Sequence, residues 1–446
     1  MRRLVPLASL ILLASSVLTY SGAQTQPAPA QKNVRSKEAL VFEALRTEVR
    51  FEKDGTGTTH VSAGVLVQSE SAVQQFGLLS LAYIKTNEDL TVEYVRVRKP
   101  DGRLVTTPPE DFQDMASEVT RLAPMYSDLR EVHIPIRGLA IGDRLEYAVR
   151  TRLHTSLIPN QFGFAYNFFK TGTMLDEELD VNVPADIPVK VKSADVQPTV
   201  RTEGERRIYT WKASHEGEGA EETDPLADAP PPPVEIGSFQ TWEEVGRWWE
   251  PLEEERAVVT PEIRAKALEL TKGTTTDEEK VRAVYKYVAT QFRYISLSFG
   301  IGRYQPHAAL DVLDNAYGDC KDKHTLLEAL LKAVGIQAYP ALINSSRKVE
   351  PDVPSPAQFD HVISVVPLGD RTVWLDTTTE VAPFGFLMVN LRDKQALVMP
   401  PGKPASLVTT PAEPPFQMTD RWQIDGKLGS EGVLDAKITR AVRGDL

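Results

Sequence analysis

Four consecutive prolines, Pro230, Pro231, Pro232 and Pro233, divide this chain into halves that cannot share one architecture. Such a run has fixed φ angles and no backbone donors, so neither a helix interior nor a central strand can hold it. It reads as a stiff linker over residues 221–237, with an acidic, Gly-rich stretch at 216–222. Before it, the apolar pattern has a period of two. Thr91-Val92-Glu93-Tyr94-Val95-Arg96-Val97-Arg98 alternates and ends in the turn Pro100-Asp101-Gly102-Arg103. Residues 144–150, 179–183 and 207–211 repeat the pattern, which predicts an all-β sandwich over residues 38–220. His60, His133, His154 and His215 are scattered through this half without metal-ligand spacing, so they read as surface or structural residues.

The first residues are an address rather than a fold. Arg2 and Arg3 precede an apolar run from Leu4 to Leu18, and Ser21-Gly22-Ala23 offers a small-residue cleavage site. That predicts a signal peptide over residues 1–23 and a periplasmic or extracellular protein. No later stretch is long and apolar enough for a transmembrane segment. In an oxidising compartment the single cysteine, Cys320, has no internal partner for a disulfide, so its free thiol points to chemistry. The formal net charge of −12 argues against nucleic acid or an anionic membrane surface as partner.

After the linker the period becomes helical. Thr241, Thr260 and Thr276 each stand where a helix cap belongs, the second followed by Pro261 at the first helical position. Trp248 and Trp249 read as packing residues. Pro306 is expected to open a short helix through Leu310 and Leu313. Then comes Ala316-Tyr317-Gly318-Asp319-Cys320-Lys321-Asp322-Lys323-His324, followed by Leu326, Leu327, Leu330, Leu331 and Val334 on one helical face and Gly335 as a stop. Asp319 as cap and Asp322 three residues on make a capping-box-like pair, so Cys320 falls on the first helical turn. Unpaired backbone N–H groups and the positive end of the helix dipole favour a thiolate there.

Residues 359–368 and 372–378 then read as two strands around Gly369-Asp370, a hairpin signal. A two-residue loop pairs Leu368 with Arg371 and puts His361, Ile363 and Asp376 on one face. Asp376 is then the diagonal neighbour of His361, ~7–8 Å away between backbones and within side-chain reach. An acid at that distance can orient an imidazole, which can in turn deprotonate a thiol. His324 is a competing base, four residues from Cys320 on one helix, but the sequence shows no carboxylate to orient it and too few further ligands for a metal pair. It reads as a packing or supporting residue.

Tyr317-Gly318-Asp319-Cys320-Lys321-Asp322-Lys323, Phe359-Asp360-His361-Val362 and Trp374-Leu375-Asp376-Thr377-Thr378 together resemble the core of the transglutaminase-like superfamily, papain-like thiol enzymes with the order Cys, His, Asp. The spacings of 41 and 15 residues suit that family, and Tyr304-Gln305-Pro306 resembles its approach to the cysteine. The β-rich half resembles a domain of unknown function fused to this core in secreted bacterial proteins. The resemblance implies an α+β transglutaminase-like domain over residues 238–405, with Cys320 as nucleophile, His361 as general base and acid, and Asp376 as orienting acid. It implies an oxyanion hole made by the Cys320 N–H and one upstream donor, for which Tyr304 is a candidate. It implies thiol-mediated acyl transfer on protein or peptide amides, with a cysteine peptidase or amidase, or a non-catalytic binding or assembly module, as alternatives. That subgroup has Asn before the histidine; Asp360 here adds a charge near the base. No cofactor-binding or metal-binding pattern is read in the chain. Residues 415–446 read as strands, the start of a C-terminal β-domain.

Overall fold

A computed structural model describes residues 38–122, 128–217, 228–295, 300–381 and 383–444. The expected signal peptide and residues 221–227 of the expected linker lie outside the described residues. The first domain is built on an eight-stranded sheet in the order Thr199–Glu203, Arg206–His215, Thr173–Pro184, Leu40–Phe51, Gly57–Val67, Arg144–Leu153, Glu88–Arg98, Leu104–Thr106. Two three-stranded sheets cover one face of it. Leu78–Ile84, Leu129–Pro135 and Gln113–Ala116 bury Leu79, Leu81 and Ile134 against Val65, Val97 and Leu145. Lys190–Ser193, Val234–Gly237 and Gly163–Tyr166 bury Tyr166, Val234 and Ile236 against Val181, Val183 and Trp211. The strict alternation read at residues 91–98 follows from this, because only one face of the large sheet is covered. Its other face carries cross-strand ion pairs instead, Arg96 and Arg98 each 2.7 Å from Glu146 and Lys212 2.9 Å from Glu178.

The expected linker ends earlier than its composition suggests. Val234–Gly237 is a fully buried strand of the first domain, paired on both sides. The prolines before it have no N–H to give a ladder, but Val234-Glu235-Ile236 has ordinary donors and apolar side chains to pack. Upstream of the prolines, Asp228 pairs with Lys394 at 2.6 Å, so the segment runs along the second domain.

The second domain contains α1 (Trp242–Glu254), α2 (Pro261–Leu270), α3 (Asp277–Gln291), α4 (Ala309–Asn315) and α5 (Cys320–Ala333). Thr241, Thr260 and Thr276 cap the first three through their side chains. Helix α4 starts at Ala309, three residues after the expected Pro306, where the Ala309 N–H is taken by the Arg256 carbonyl at 3.0 Å. The strands β1 (Tyr339–Ile343), β2 (His361–Leu368), β3 (Arg371–Leu375), β4 (Gln395–Val398) and β5 (Ser406–Thr409) form an antiparallel sheet in the order β3–β2–β1–β4–β5. Helix α5 lies between this sheet and the other helices, with twelve of its fourteen residues buried. Gly335, at φ +80°, ends it. Thr419–Leu428 and Leu434–Arg443 pair as one antiparallel hairpin, most of whose residues are exposed.

Candidate active site

The cysteine is placed by its neighbours in sequence. The Asp319 carboxylate accepts from the Asp322 N–H at 3.2 Å, and the Asp322 carboxylate accepts from the Asp319 N–H at 3.1 Å, which closes the capping box. Gly318 permits the approach, since a Cβ there would lie 2.6 Å from the Asp322 Cβ. Its carbonyl accepts from the Ile295 N–H at 3.1 Å, tying the turn to the chain that follows α3. Cys320 is thereby the first residue of α5, 8% exposed.

Asp319, Lys321, Asp322, Lys323 and His324 are all buried around it. Buried charge is tolerated only when compensated. Lys321 pairs with Asp319. Asp322 also accepts from the His307 N–H at 2.8 Å and meets the His307 ring at 3.1 Å, and that hydrogen bond raises the half-exposed imidazole's pKa. Lys323 Nζ donates to the carbonyls of Ala289 at 3.2 Å and Phe292 at 2.8 Å, capping the C-terminal end of α3. Burial nevertheless pulls the Lys323 pKa down to about 8, against the charges of Glu380 and Asp376.

The hairpin has the expected register. Leu368 lies opposite Arg371 and Ser364 opposite Leu375. Gly369 has φ +60° at the first loop position, where a type II′ turn requires a positive φ. His361 Nε2 lies 3.2 Å from Asp376 Oδ2. Both side chains are largely buried, at 10% and 3% exposed. The Asp376 carbonyl accepts from the Tyr285 hydroxyl at 3.1 Å, which holds the end of β3 against α3. Burial alone would lower the imidazole pKa; the Asp376 charge and hydrogen bond, with the Cys320 thiol as the next neighbour, raise it well above its ordinary value. Burial alone would raise the Asp376 pKa, but the His361 charge and the Thr378 hydrogen bonds hold it below the usual carboxylate range. With Nε2 on the acid, Nδ1 is the ring nitrogen left for the thiol.

Two readings of individual residues change. His324 does have carboxylates beside it, Glu253 at 3.5 Å and Glu328 at 3.4 Å from its Nε2. Glu253 comes from α1, too far upstream for local spacing to reveal. These three form the one group of His, Cys and acidic side chains among the described residues compact enough to hold an ion. His324 Nδ1 meets Ser364 Oγ at 2.7 Å, so both ring nitrogens face groups other than Cys320. Asp360 turns its carboxylate to the Ser345 N–H at 2.7 Å and the Ser345 hydroxyl at 3.0 Å, on the strand face opposite His361. Tyr304 packs edge-on against Trp248 and Trp249, in the cluster that contains Cys320, so the tryptophans serve as packing. His307 was not singled out by the sequence; the signal for it is the proline-led approach, which brings its N–H onto Asp322.

With this geometry in place, the comparisons with known proteins are informative. A profile of the transglutaminase-like superfamily matches residues 264–351, and one of a Domain of Unknown Function, DUF3857, matches residues 53–216. The second domain belongs to the transglutaminase-like superfamily. The matched span contains Cys320 and stops short of His361 and Asp376, whose placement rests on the hairpin. A candidate protease from Parabacteroides distasonis ATCC 8503 superimposes on the transglutaminase-like chain with a TM-score of 0.70 at 14% identity, over 84% of this chain and 72% of that one. A candidate cysteine protease from Cytophaga hutchinsonii aligns at 13% identity over 64% of this chain and 86% of that one, with a TM-score of 0.25, too low to carry an argument. The first likeness shows a shared fold across both domains. No curated protein matches the sequence. No described helix is long and apolar enough to cross a membrane.

Proposed function

We propose that this chain is an exported thiol enzyme that transfers acyl groups from protein or peptide amides through Cys320, His361 and Asp376. The supporting observation is the 3.2 Å contact of Asp376 with His361, on a ring that also meets the thiol at a helix N-terminus. His361 takes the Cys320 proton, and the sulfur attacks the amide carbonyl. The Cys320 N–H, without an intrahelical partner, faces the developing oxyanion. The imidazolium returns its proton to the departing amine and leaves a thioester. An amine or water then attacks, giving up a proton to the same ring and regenerating the thiol. Asp376 holds the ring tautomer and stabilises the imidazolium.

A cysteine peptidase or amidase is the same chemistry with water as acceptor, and the likeness to a protein described as a candidate protease favours it as the second reading. A binding module of this fold needs no activated thiol. Alkylation of the native chain with iodoacetamide separates enzyme from module. Rapid labelling of Cys320 at mildly acidic pH, slowed sharply in His361→Ala and far less in His324→Ala, supports the assignment; the reverse pattern overturns it.

A further inference from the structure

One ring nitrogen of His324 faces two carboxylates without a hydrogen bond to either. Its side chain is fully buried and its Nδ1 is engaged by Ser364, while Nε2 has no hydrogen-bond partner among the described residues. Glu328 Oε2 is likewise buried without a hydrogen-bond partner. Nε2 lies 3.5 Å from Glu253 Oε1 and 3.4 Å from Glu328 Oε2, and one ligand atom of each residue lies within 4.8 Å of the others. Ligands bound to zinc at ~2.0–2.1 Å stand ~3.3 Å apart at the corners of a tetrahedron. The two measured separations fall close to that edge, and neither contact has hydrogen-bond geometry.

The surroundings fit metal ligation. His324 and Glu328 share one face of α5 at i,i+4. The Ser364 contact orients the imidazole from its far side, as outer partners of ligating histidines do. Thr325 Oγ1 donates to Glu253 Oε1 at 2.8 Å and Trp249 Nε1 to Glu253 Oε2 at 3.4 Å, fixing that carboxylate. A cavity of about 410 Å³ borders both glutamates and has exposed Arg247, Glu250 and Lys332 along it, which supplies an entry path.

We infer that Glu253, His324 and Glu328 form a binding site for a divalent ion of the zinc class, which clamps α1 to the helix that carries Cys320. The ion is structural, because its ligands point away from the thiol. It goes beyond the acyl-transfer reading and does not depend on it.

The test uses the full untagged chain carrying Cys320→Ser, so that the candidate nucleophile cannot bind the ion, stripped with chelator and titrated with Zn²⁺ by calorimetry. One equivalent should bind. Glu328→Gln, at a partly exposed position that leaves the fold intact, should weaken binding at least 10-fold, as should Glu253→Gln. Co²⁺ in place of Zn²⁺ should give the intense visible bands of tetrahedral coordination, lost in Glu328→Gln. No binding, binding unchanged in Glu328→Gln, or the weak bands of octahedral Co²⁺ would each overturn the site. If Glu253→Gln fails to fold by circular dichroism, Glu328→Gln alone decides.

Discussion

Asp376 Oδ1 accepts both the backbone N–H of Thr378 at 2.9 Å and its hydroxyl at 2.7 Å, which leaves Oδ2 to the His361 ring. The carboxylate is therefore held from behind while its free edge faces the base. Aspartate to asparagine keeps this shape, removes the charge and can favour the wrong ring tautomer. The comparable change in a serine triad costs ~10⁴ in rate. A thiolate forms more readily, so Asp376→Asn should slow thiol alkylation and turnover on the order of 10²–10³. Rate against pH for both proteins, with circular dichroism to check folding, measures it. Superimposable profiles would leave Asp376 as no more than a strand end.

The same pair sets a pH window for stability. His361 has a raised pKa in the fold, so its contribution is present below its ordinary value and is lost as pH rises through the raised one. Asp376 has a lowered pKa, so its contribution is present above its ordinary value and is lost as pH falls through the lowered one. The unfolding midpoint of the second domain should be highest between the two ordinary values and decline on both sides. Calorimetry across the acid and neutral range should show the decline on each side becoming shallower in Asp376→Asn.

Gly318 is needed for close approach rather than for a turn angle. A Cβ at that position would meet the Asp322 Cβ at 2.6 Å, so Gly318→Ala must displace the capping box. The expected loss is about 1–3 kcal/mol of stability. Because the cap sets where Cys320 begins the helix, labelling of the thiol should slow even where the protein remains folded. Chemical denaturation together with the labelling rate checks both parts; unchanged labelling in a destabilised protein would separate the cap from the site.

The two domains meet through an ion pair whose balance depends on pH. Arg347 Nη1 in the loop after β1 lies 3.0 Å from Glu235 Oε1 on the first domain's Val234–Gly237 strand. Burial lifts the Glu235 pKa to about 7, with Arg347 opposing the rise. Arg347→Ala removes that opposition and drives the pKa higher. At pH 6 the carboxyl is mostly neutral and the substitution should cost little. At pH 8 the parent carboxylate is ionised and paired, whereas the variant must either bury it unpaired or hold its proton against the solution pH, so the variant should be destabilised more there than at pH 6. Equal losses at the two pH values, read from denaturant midpoints, would place the effect in packing instead.

The start of α5 and the register of the β2–β3 hairpin were legible in the sequence because each is a local problem. A cap, a capping-box acid and a leucine face lie within one short stretch, and Gly369-Asp370 leaves few ways to turn. Those constraints placed Cys320 at a helix N-terminus and His361 beside Asp376. The alternation before residue 215 likewise determined the β-rich first domain. Other relationships were decided only by tertiary structure. The run Asp319-Cys320-Lys321-Asp322-Lys323-His324 has the composition of an exposed helix start and is buried instead. Its charges are offset by the Lys321–Asp319 pair within the run, by His307, and by the carbonyls that end α3. The Val234–Gly237 strand behind the prolines was hidden in the same way, because its partners come from 163–166 and 190–193. Periodicity and capping depend on neighbours a few residues apart, whereas compensation of a buried charge depends on whichever group the fold brings within about 3 Å, and spacing along the chain does not encode that distance.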